Sequence, residues 1–211
     1  MTDPAVADDA QVIARVLAGD RDAFGTLVAR HGRRIHDLAR RMLRDAFEAE
    51  DVVQHAFLNA YRALPRYDPA RPFRHWLLRI TSNLCRNRLV ARRHEPRGRG
   101  GEDDGEILPR IDPPARAETP PGEDERQEAL RVRGAVEALP DAYRLVVILR
   151  YSQGLSLEEV AEITGQPLGT VKTHLHRARA VLARGLADPE AEQEPGAPPG
   201  NVTGARPRTG S

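Results

Sequence analysis

The sequence is poor in the residues that build disulfide bonds, zinc sites and membrane spans. Cys85 is the single cysteine in 211 residues, so the chain cannot form an internal disulfide or a cysteine cluster for zinc. No stretch approaches the roughly 18 apolar residues that a spanning helix needs, and the acidic, polar N-terminus lacks a signal-peptide pattern. We therefore expect a cytoplasmic protein with no metal site, no cofactor and no membrane association.

Aromatic residues are also scarce, at 4% of the chain, although 40% of residues are hydrophobic. This balance favours small helical units with modest cores over a large enclosed pocket. The seven histidines are scattered, and neither an HExxH nor a GxSxG pattern occurs. His174 and His176 lie two positions apart on a predicted helix, so they point in different directions. The sequence therefore argues against an enzyme.

The net charge is only +1, which by itself argues against a nucleic-acid-binding protein, but the charges are strongly segregated. Residues 166–186 hold four basic side chains and no acid, and residues 71–94 hold seven arginines and no acid. Residues 45–51, in contrast, hold four acids and no basic side chain. Local charge therefore decides which partners each segment attracts.

The pattern along the chain predicts an all-α protein with two small helical domains joined by a flexible linker, the second domain containing a helix-turn-helix. Residues 1–9 are expected to be flexible, and residues 10–94 to form the first domain. Its predicted helices span 11–18, 21–43, 47–63 and 73–94. Residues 95–122 form an acidic linker rich in Gly and Pro, residues 123–187 the second domain, and residues 188–211 a disordered tail.

The helix-turn-helix is predicted from capping and turn signals between residues 154 and 179. Ser156 is followed three residues later by Glu159, the spacing of a capping box at a helix N-terminus. Gly165 and Pro167 then supply the break, and the second helix is expected to begin near Gly169.

The second of these helices has one apolar face and one polar face. Its predicted buried stripe comprises Val171, Leu175, Ala178 and Leu182. The opposite face carries Lys172, Thr173, His176 and Arg177, side chains that can hydrogen-bond to base edges in the major groove of DNA. The alternative is a structural helical hairpin with a solvated basic face.

The first domain carries two further surfaces of opposite charge. The acidic run at 45–51 opens a predicted helix, where acids also satisfy the helix dipole, so it indicates capping, a protein-docking surface or both. The arginine-rich segment 71–94 contains Phe73, His75 and Trp76, and so has the composition of a nucleic-acid backbone track with stacking aromatics. Helical spacing places Trp76 with apolar neighbours, so core packing is an equal alternative to base stacking.

Four blocks, in this order and spacing, resemble the extracytoplasmic-function (ECF) group of bacterial sigma-70 family factors. They are DRDAF at 20–24, EAEDVVQ at 48–54, FRHWLLRITSN at 73–83 and LGTVKTHLHRAR at 168–179. The resemblance implies a two-domain transcription initiation factor that binds RNA polymerase core, directs it to promoters and assists strand separation. It implies a binding protein and not an enzyme.

The resemblance also implies which residues touch promoter DNA. The recognition helix would read the minus-thirty-five element through Thr170, Lys172, Thr173, His176 and Arg177. Asn83 and the loop 66–72 would capture an unstacked base at the minus-ten element, while Arg79, Arg86 and Arg88 hold phosphates. A base shows its pairing edge only after it leaves the stack, and an amide supplies both a donor and an acceptor for it. The alternative for Asn83 is a locally satisfied asparagine within a helix.

The remaining implied contacts are with proteins. Asp51, Gln54 and His55 would contact the clamp helices of the largest polymerase subunit, although His55 departs from the Glu or Asp that relatives often carry. An anti-sigma factor is a further implied partner. The acidic linker would run toward the RNA exit path, or act only as a soluble spacer.

A stand-alone helix-turn-helix regulator that never recruits polymerase is the competing hypothesis. Such regulators usually carry a ligand-binding or phosphoacceptor domain ahead of the DNA-binding helices. The first 94 residues show no alternation of strands and helices from which to build one, so the sequence favours the sigma factor.

Overall fold

A computed structural model of the protein describes residues 4–94 and 122–186. Every regular element in these ranges is helical. The eight α-helices are α1 Pro4–Leu17, α2 Phe24–Leu43, α3 Ala46–Ala63, α4 Phe73–His94, α5 Glu123–Ala138, α6 Asp141–Val147, α7 Leu157–Thr164 and α8 Leu168–Leu186. Short 3-10 turns precede α2 and follow α3, and a π-helical turn at Ile148–Ser152 extends α6. Two helical domains, α1–α4 and α5–α8, confirm the predicted fold class.

The first domain is a bundle in which α2, α3 and α4 pack around a shared core. Leu27, Ile35, Leu38 and Met42 of α2 recur at helical spacing and are almost fully buried. They lie in the core with Phe57 of α3 and with Leu77 and Leu78 of α4. Asp45 begins α3 by accepting a hydrogen bond from the Glu48 amide at 3.0 Å.

The first helix begins earlier than the sequence predicts, within the segment 1–9 that was expected to precede the first domain. Helix α1 begins at Pro4 and not near residue 11. Asp8 and Asp9 both form ion pairs with Arg30 of α2, and Asp9 Oδ2 also lies 2.8 Å from His31 Nε2. These partners are more than twenty residues away, so local sequence patterns gave no sign of them.

The second domain begins with α5, which ends at Ala138, two residues before Pro140. Helices α6, α7 and α8 bury Leu145, Val160, Ile163, Val171 and Leu175 in its core. Helix α8 begins at Leu168, one residue before the predicted start. Of its predicted apolar stripe, three residues are buried and Leu182 is half-buried.

The two domains are in contact along α4 and α7, and along α2 and the α6 segment. The junction includes Arg144, a charged side chain only 3% exposed. Its Nη1 donates to the Met42 carbonyl oxygen at 2.7 Å, across the domain boundary. The predicted linker, apart from Gly122, and the predicted tail lie outside the described residues. In the part of the chain that is described, no helix is long and apolar enough to cross a membrane.

Candidate nucleic-acid interface

The turn between α7 and α8 has the geometry that its sequence signals predict. Ser156 Oγ accepts a hydrogen bond from the Glu159 amide at 3.1 Å, and Glu159 Oε2 accepts one from the Ser156 amide at 2.6 Å. This capping box fixes the start of α7. Gly165 ends the helix in the left-handed region at φ +67°, a conformation that glycine adopts without steric cost. Together these features determine how α8 is presented to solvent.

The outer face of α8 is exposed as predicted. Lys172, Thr173, His176 and Arg177 are all solvent-exposed, and Thr170 is half-buried one turn earlier. The Thr173 hydroxyl donates to the Gly169 carbonyl at 2.9 Å, so its oxygen lone pairs remain directed away from the helix as acceptors. The face therefore offers two cations, Lys172 and Arg177, with neighbouring hydroxyl and imidazole groups, and no carboxylate.

Two tyrosines that sequence reasoning did not identify hold arginines of α8. Arg179 donates from Nε and Nη2 to the Tyr151 hydroxyl at 3.1 and 2.7 Å. Arg177 Nη1 lies 3.5 Å from the Tyr143 hydroxyl. A phenol orients a guanidinium without neutralising its charge, so both cations stay available for phosphate. Because these tyrosines are about 30 residues away in sequence, no short-range pattern identifies them.

In the first domain, part of the predicted strand-binding set lies on one face of α4. Arg79 and Arg86 are exposed, and Asn83 lies half-buried between them at helical spacing. Asn83 Oδ1 accepts a hydrogen bond from Arg86. The amide oxygen of Asn83 therefore has a local partner in this structure, and the role of Asn83 toward DNA stays a prediction.

The fourth member of this set lies elsewhere on α4. Nine residues separate Arg88 from Arg79, which places Arg88 about 180° around the helix. Arg88 Nε lies 3.6 Å from Glu48 of α3. The structure therefore does not bring Arg88 together with Arg79, Asn83 and Arg86.

The loop before α4 is ordered by an aromatic cluster. The Trp76 ring centroid lies 5.1 Å from that of Tyr67 and 5.7 Å from that of Phe73. The Tyr67 hydroxyl donates to the Arg71 carbonyl, which ties the two ends of the loop together. Burial, and to a lesser extent Asp9, raises the pKa of Tyr67 to about 12, so the hydroxyl remains a donor. Trp76 is half-buried and packs within this cluster. Sequence reasoning missed Tyr67.

The acidic N-terminal part of α3 divides into capping residues and outward-facing residues. The pKa of Asp45 is lowered by its hydrogen bond to the Glu48 amide, and Glu48 accepts from Arg92 Nε at 2.9 Å. Asp45 therefore caps α3, and Glu48 joins α3 to α4. Asp51 is exposed, and Gln54 and His55 are half-buried one turn further along the same face.

An exposed aromatic residue accompanies this face. Phe47 is 79% exposed and lies one turn before Asp51, on the same side of α3. A large apolar side chain so open to solvent, beside acids, is typical of a protein-docking surface. Sequence reasoning did not single out Phe47, because the acidic run dominates the local pattern.

Comparisons with known proteins decide the family. A model described as Sigma-70 region 2 matches residues 27–95, and one described as Sigma-70, region 4 matches residues 129–182. The chain belongs to the sigma-70 family. All of the predicted site residues of this sigma factor lie within those two matched regions.

Characterised relatives place this sigma factor in the ECF group. It is 37% identical to the RNA polymerase sigma-H factor of Pseudomonas aeruginosa, over 84% of this chain and 93% of the relative. It is 34% identical to the ECF RNA polymerase sigma factor SigW of Bacillus subtilis, over 83% of this chain and 95% of the relative. It is 38% identical to the ECF factor SigM of Mycobacterium tuberculosis, over 83% of each chain.

Two solved structures share the fold of this chain. The first is the structure of CnrH in complex with the cytosolic domain of CnrY, whose matched chain is 30% identical in sequence to this one. The match covers 82% of this chain and 94% of that chain, with a TM-score of 0.59. The sigma factor RpoE of Bartonella quintana, in complex with the anti-sigma factor NepR, covers 77% of this chain and 96% of that chain. Its TM-score is 0.56 and its identity 20%, which shows a shared fold.

Proposed function

We propose that this protein is an ECF-type transcription initiation factor that binds RNA polymerase core, directs it to specific promoters and assists strand separation. It acts by binding and not by catalysis, in the cytoplasm where polymerase works. The observation that carries the proposal is the exposed, acid-free face of α8, placed behind a capped α7 and a glycine turn. The other domain of the same chain carries the two further surfaces of the proposal, the strand-binding face of α4 and the acidic docking face of α3.

Helix α8 is proposed to read the duplex of the minus-thirty-five element. Lys172 and Arg177 are the side chains of this face that can reach guanine O6 and N7. Thr170, Thr173 and His176 supply smaller hydrogen-bonding groups beside them. Arg179, oriented by Tyr151, supplies a phosphate contact that positions the helix without reading sequence.

The face of α4 is proposed to hold the separated strand at the minus-ten element. Asn83 would offer its amide to the pairing edge of an unstacked base, while Arg79 and Arg86 neutralise neighbouring phosphates. Arg86 donates to Asn83 in the free protein, so it keeps the amide oriented until a base replaces that bond. Arg88, on the other side of α4, is expected to contribute less.

The outward face of α3 is proposed to bind polymerase core. Asp51, Gln54 and His55 supply polar contacts, and Phe47 supplies an apolar anchor at the N-terminal edge of the patch. A buried aromatic surrounded by polar groups is the usual composition of an interface hot spot. The partner surface that fits this face of α3 has an apolar pocket for Phe47, surrounded by basic side chains on a helix.

An anti-sigma factor is a further proposed partner. Support comes from the similar RpoE structure, whose title names a complex with an anti-sigma factor.

Co-purification with polymerase core tests the proposal against a stand-alone regulator. We expect the full chain to bind core in gel filtration, and the double variant Phe47→Ala, Asp51→Ala to lose most of that binding. Asn59→Ala, also on an exposed part of α3, is the matched control. A wild-type chain that binds duplex DNA but never binds core would favour the regulator.

A further inference from the structure

Helix α1 is joined to the rest of the first domain by a buried polar contact. Asp9 is 4% exposed and His31 is 7% exposed, and Asp9 Oδ2 lies 2.8 Å from His31 Nε2. The other carboxylate oxygen of Asp9 pairs with Arg30. Both oxygens therefore have a partner, as a carboxylate removed from water requires. Helix α1 ends at Leu17, ahead of the residues 27–95 that match Sigma-70 region 2, so that match gives Asp9 no role.

His31 connects this contact to the loop 66–72, which is expected to capture an unstacked base of the promoter strand. The His31 ring centroid lies 5.4 Å from that of Phe73, the residue that directly follows the loop. Phe73 is almost fully buried. Tyr67, near the start of the loop, packs edge-on against the same ring, with centroids 5.7 Å apart. The two ends of the loop therefore meet at a ring that His31 also contacts.

Helix α1 also lies against the loop itself. It contacts α4 and the 3-10 turn Leu64–Arg66, through which the chain passes from α3 into the loop. Burial, and then the Asp9 carboxylate, raise the pKa of Tyr67 to about 12, so the charge of Asp9 acts on the loop as well as on His31. The Tyr67 hydroxyl in turn donates to the Arg71 carbonyl. Asp9 therefore lies close to the groups that fix both ends of the loop.

The position of the loop matters because base capture is costly. A base must first leave the stack, and a loop that is ordered only on binding adds its own entropic cost. A loop that is fixed beforehand avoids the second cost. Without the Asp9 carboxylate, His31 Nε2 would be a buried polar atom without its partner, and such an atom moves toward water or another partner. The His31 ring would then leave Phe73.

We propose that Asp9 of α1 is a positioning residue for strand capture: through His31 it holds Phe73 and Tyr67, and thereby fixes the loop 66–72 before a base arrives. Asp9 is buried, so it acts through its neighbours and not by contact with DNA. This inference rests on the proposed function and adds to it a residue of the N-terminal helix.

The variant Asp9→Ala tests the contact, and Asp8→Ala is its matched control. Asp8 is the preceding residue of the same helix, is exposed, and pairs with the same Arg30. Each variant removes one carboxylate and leaves Arg30 with one acidic partner, but Asp9→Ala also removes the contact with His31. If circular dichroism shows that Asp9→Ala has lost helix, Asp9→Asn takes its place, because it removes the charge and keeps the shape. The same direction of effect is then expected.

The fluorescence of Trp76 reports whether the aromatic cluster stays ordered. Trp76 is the single tryptophan of the chain, and its ring centroid lies 5.1 Å from that of Tyr67 and 5.7 Å from that of Phe73. In the free full-length protein, Asp9→Ala should shift the emission to longer wavelength and increase its quenching by acrylamide, because a loosened cluster admits water. Asp8→Ala should match wild type in both measurements.

Strand capture is measured with the full chain bound to polymerase core. The probe is a labelled single-stranded oligonucleotide, taken from the non-template strand upstream of a mapped start site. Asp9→Ala should weaken its binding by about three- to tenfold, a usual size for an effect transmitted through packed side chains. Asp8→Ala should change it by about twofold at most, since an exposed ion pair contributes little. Binding of the promoter duplex by the free chain should be equal in the two variants, because α8 lies in the other domain.

A second substitution shows whether Asp9 acts through His31. In Asp9→Ala combined with His31→Phe, the ring at position 31 needs no polar partner and can remain against Phe73. Replacing both members of a buried polar pair by apolar groups is often nearly neutral. The double variant should therefore recover the wild-type Trp76 fluorescence and strand binding.

The outcomes separate this inference from the proposed function. If wild-type protein with core binds the strand, and Asp9→Ala binds it as well as Asp8→Ala does, the positioning role is refuted while the proposed function stands. A double variant that binds the strand as weakly as Asp9→Ala refutes the path through His31. If core with wild-type protein binds the strand no better than core alone, strand capture fails as a function of this chain. The role of Asp9 in it then fails as well, whatever Trp76 reports about the order of the cluster.

Discussion

Arg144 of α6 caps the C-terminal end of α2 in the other domain, with Nη1 2.7 Å from the Met42 carbonyl oxygen. The last carbonyls of a helix lack partners within it, and here Arg92 Nη1 satisfies the next one, at Leu43, at 3.0 Å. The other terminal nitrogen of Arg144 donates to Leu139 and to Asp141, both at 2.8 Å. One side chain thereby links the start of the second domain to the core of the first.

Arg144→Met should destabilise the protein, because it removes these donors and leaves buried carbonyls unpaired. We expect a loss of about 1–3 kcal/mol in the free energy of unfolding, measured by urea titration. Arg126→Met on the exposed surface of α5 is the control and should cost little. Equal losses in the two variants would contradict the role assigned to Arg144.

Lys172→Ala should weaken promoter-specific duplex binding by about 1–3 kcal/mol, since one base-edge contact is lost. Non-specific binding should change much less. Fluorescence anisotropy with a promoter duplex and a scrambled duplex measures both. If affinity for the two duplexes falls equally, Lys172 contacts only phosphate.

Tyr151→Phe should reduce duplex affinity about two- to fivefold, because Arg179 loses the hydroxyl that orients it. The loss should be the same for promoter and scrambled sequences, since a phosphate contact carries no sequence information. Tyr61→Phe, in the first domain, serves as the control. An unchanged affinity in Tyr151→Phe would show that the tyrosine only packs.

Asn83→Ala should impair strand opening more than duplex binding, because the amide is proposed to meet a base only after it leaves the stack. Permanganate footprinting of complexes with core measures the unpaired thymines, and a gel shift measures duplex binding. Asn59→Ala on α3 is the control. Equal footprints for wild type and Asn83→Ala would remove the proposed role of Asn83.

The free energy of unfolding should decrease as pH falls below about 6.5, the ordinary pKa of histidine. Burial lowers the pKa of His31, and this outweighs the opposite effect of the nearby Asp9 carboxylate. The unfolded chain then binds more protons than the folded one in this range, so acidification favours unfolding. Burial also lowers the pKa of His75, with the same sign.

Urea titrations at pH 7.5 and 5.5 test this dependence, and the loss should be smaller in His31→Gln than in wild type. Thr26→Ala, on the exposed face of α2, should keep the wild-type dependence. A variant His31→Gln with the full wild-type loss would assign the effect to other groups.

The sequence correctly predicted those features of the fold that depend on interactions between residues close together in the chain. The capping box at Ser156, the glycine at 165 and the outward face of α8 all depend on residues within one or two turns of one another. The early start of α1 was missed because Asp9 finds its partners in α2. Tyr151 was missed for the same reason, because its partner Arg179 lies in α8, on another helix. Tyr67 contacts Arg71 and Trp76 nearby in the chain, but it lies in a loop, where no helical periodicity predicts such contacts. The family resemblance implied one role for Arg88 and Arg79, whereas helical phase places them on opposite sides of α4.

Transcription by purified polymerase core on fragmented genomic DNA, with the start sites sequenced, tests the central claim most directly. Core supplemented with this protein should initiate at a defined set of positions that share two upstream elements, and core alone should not. Lys172→Ala should reduce initiation at those positions. Start sites that are the same with and without the protein would contradict the assignment of this chain as an initiation factor.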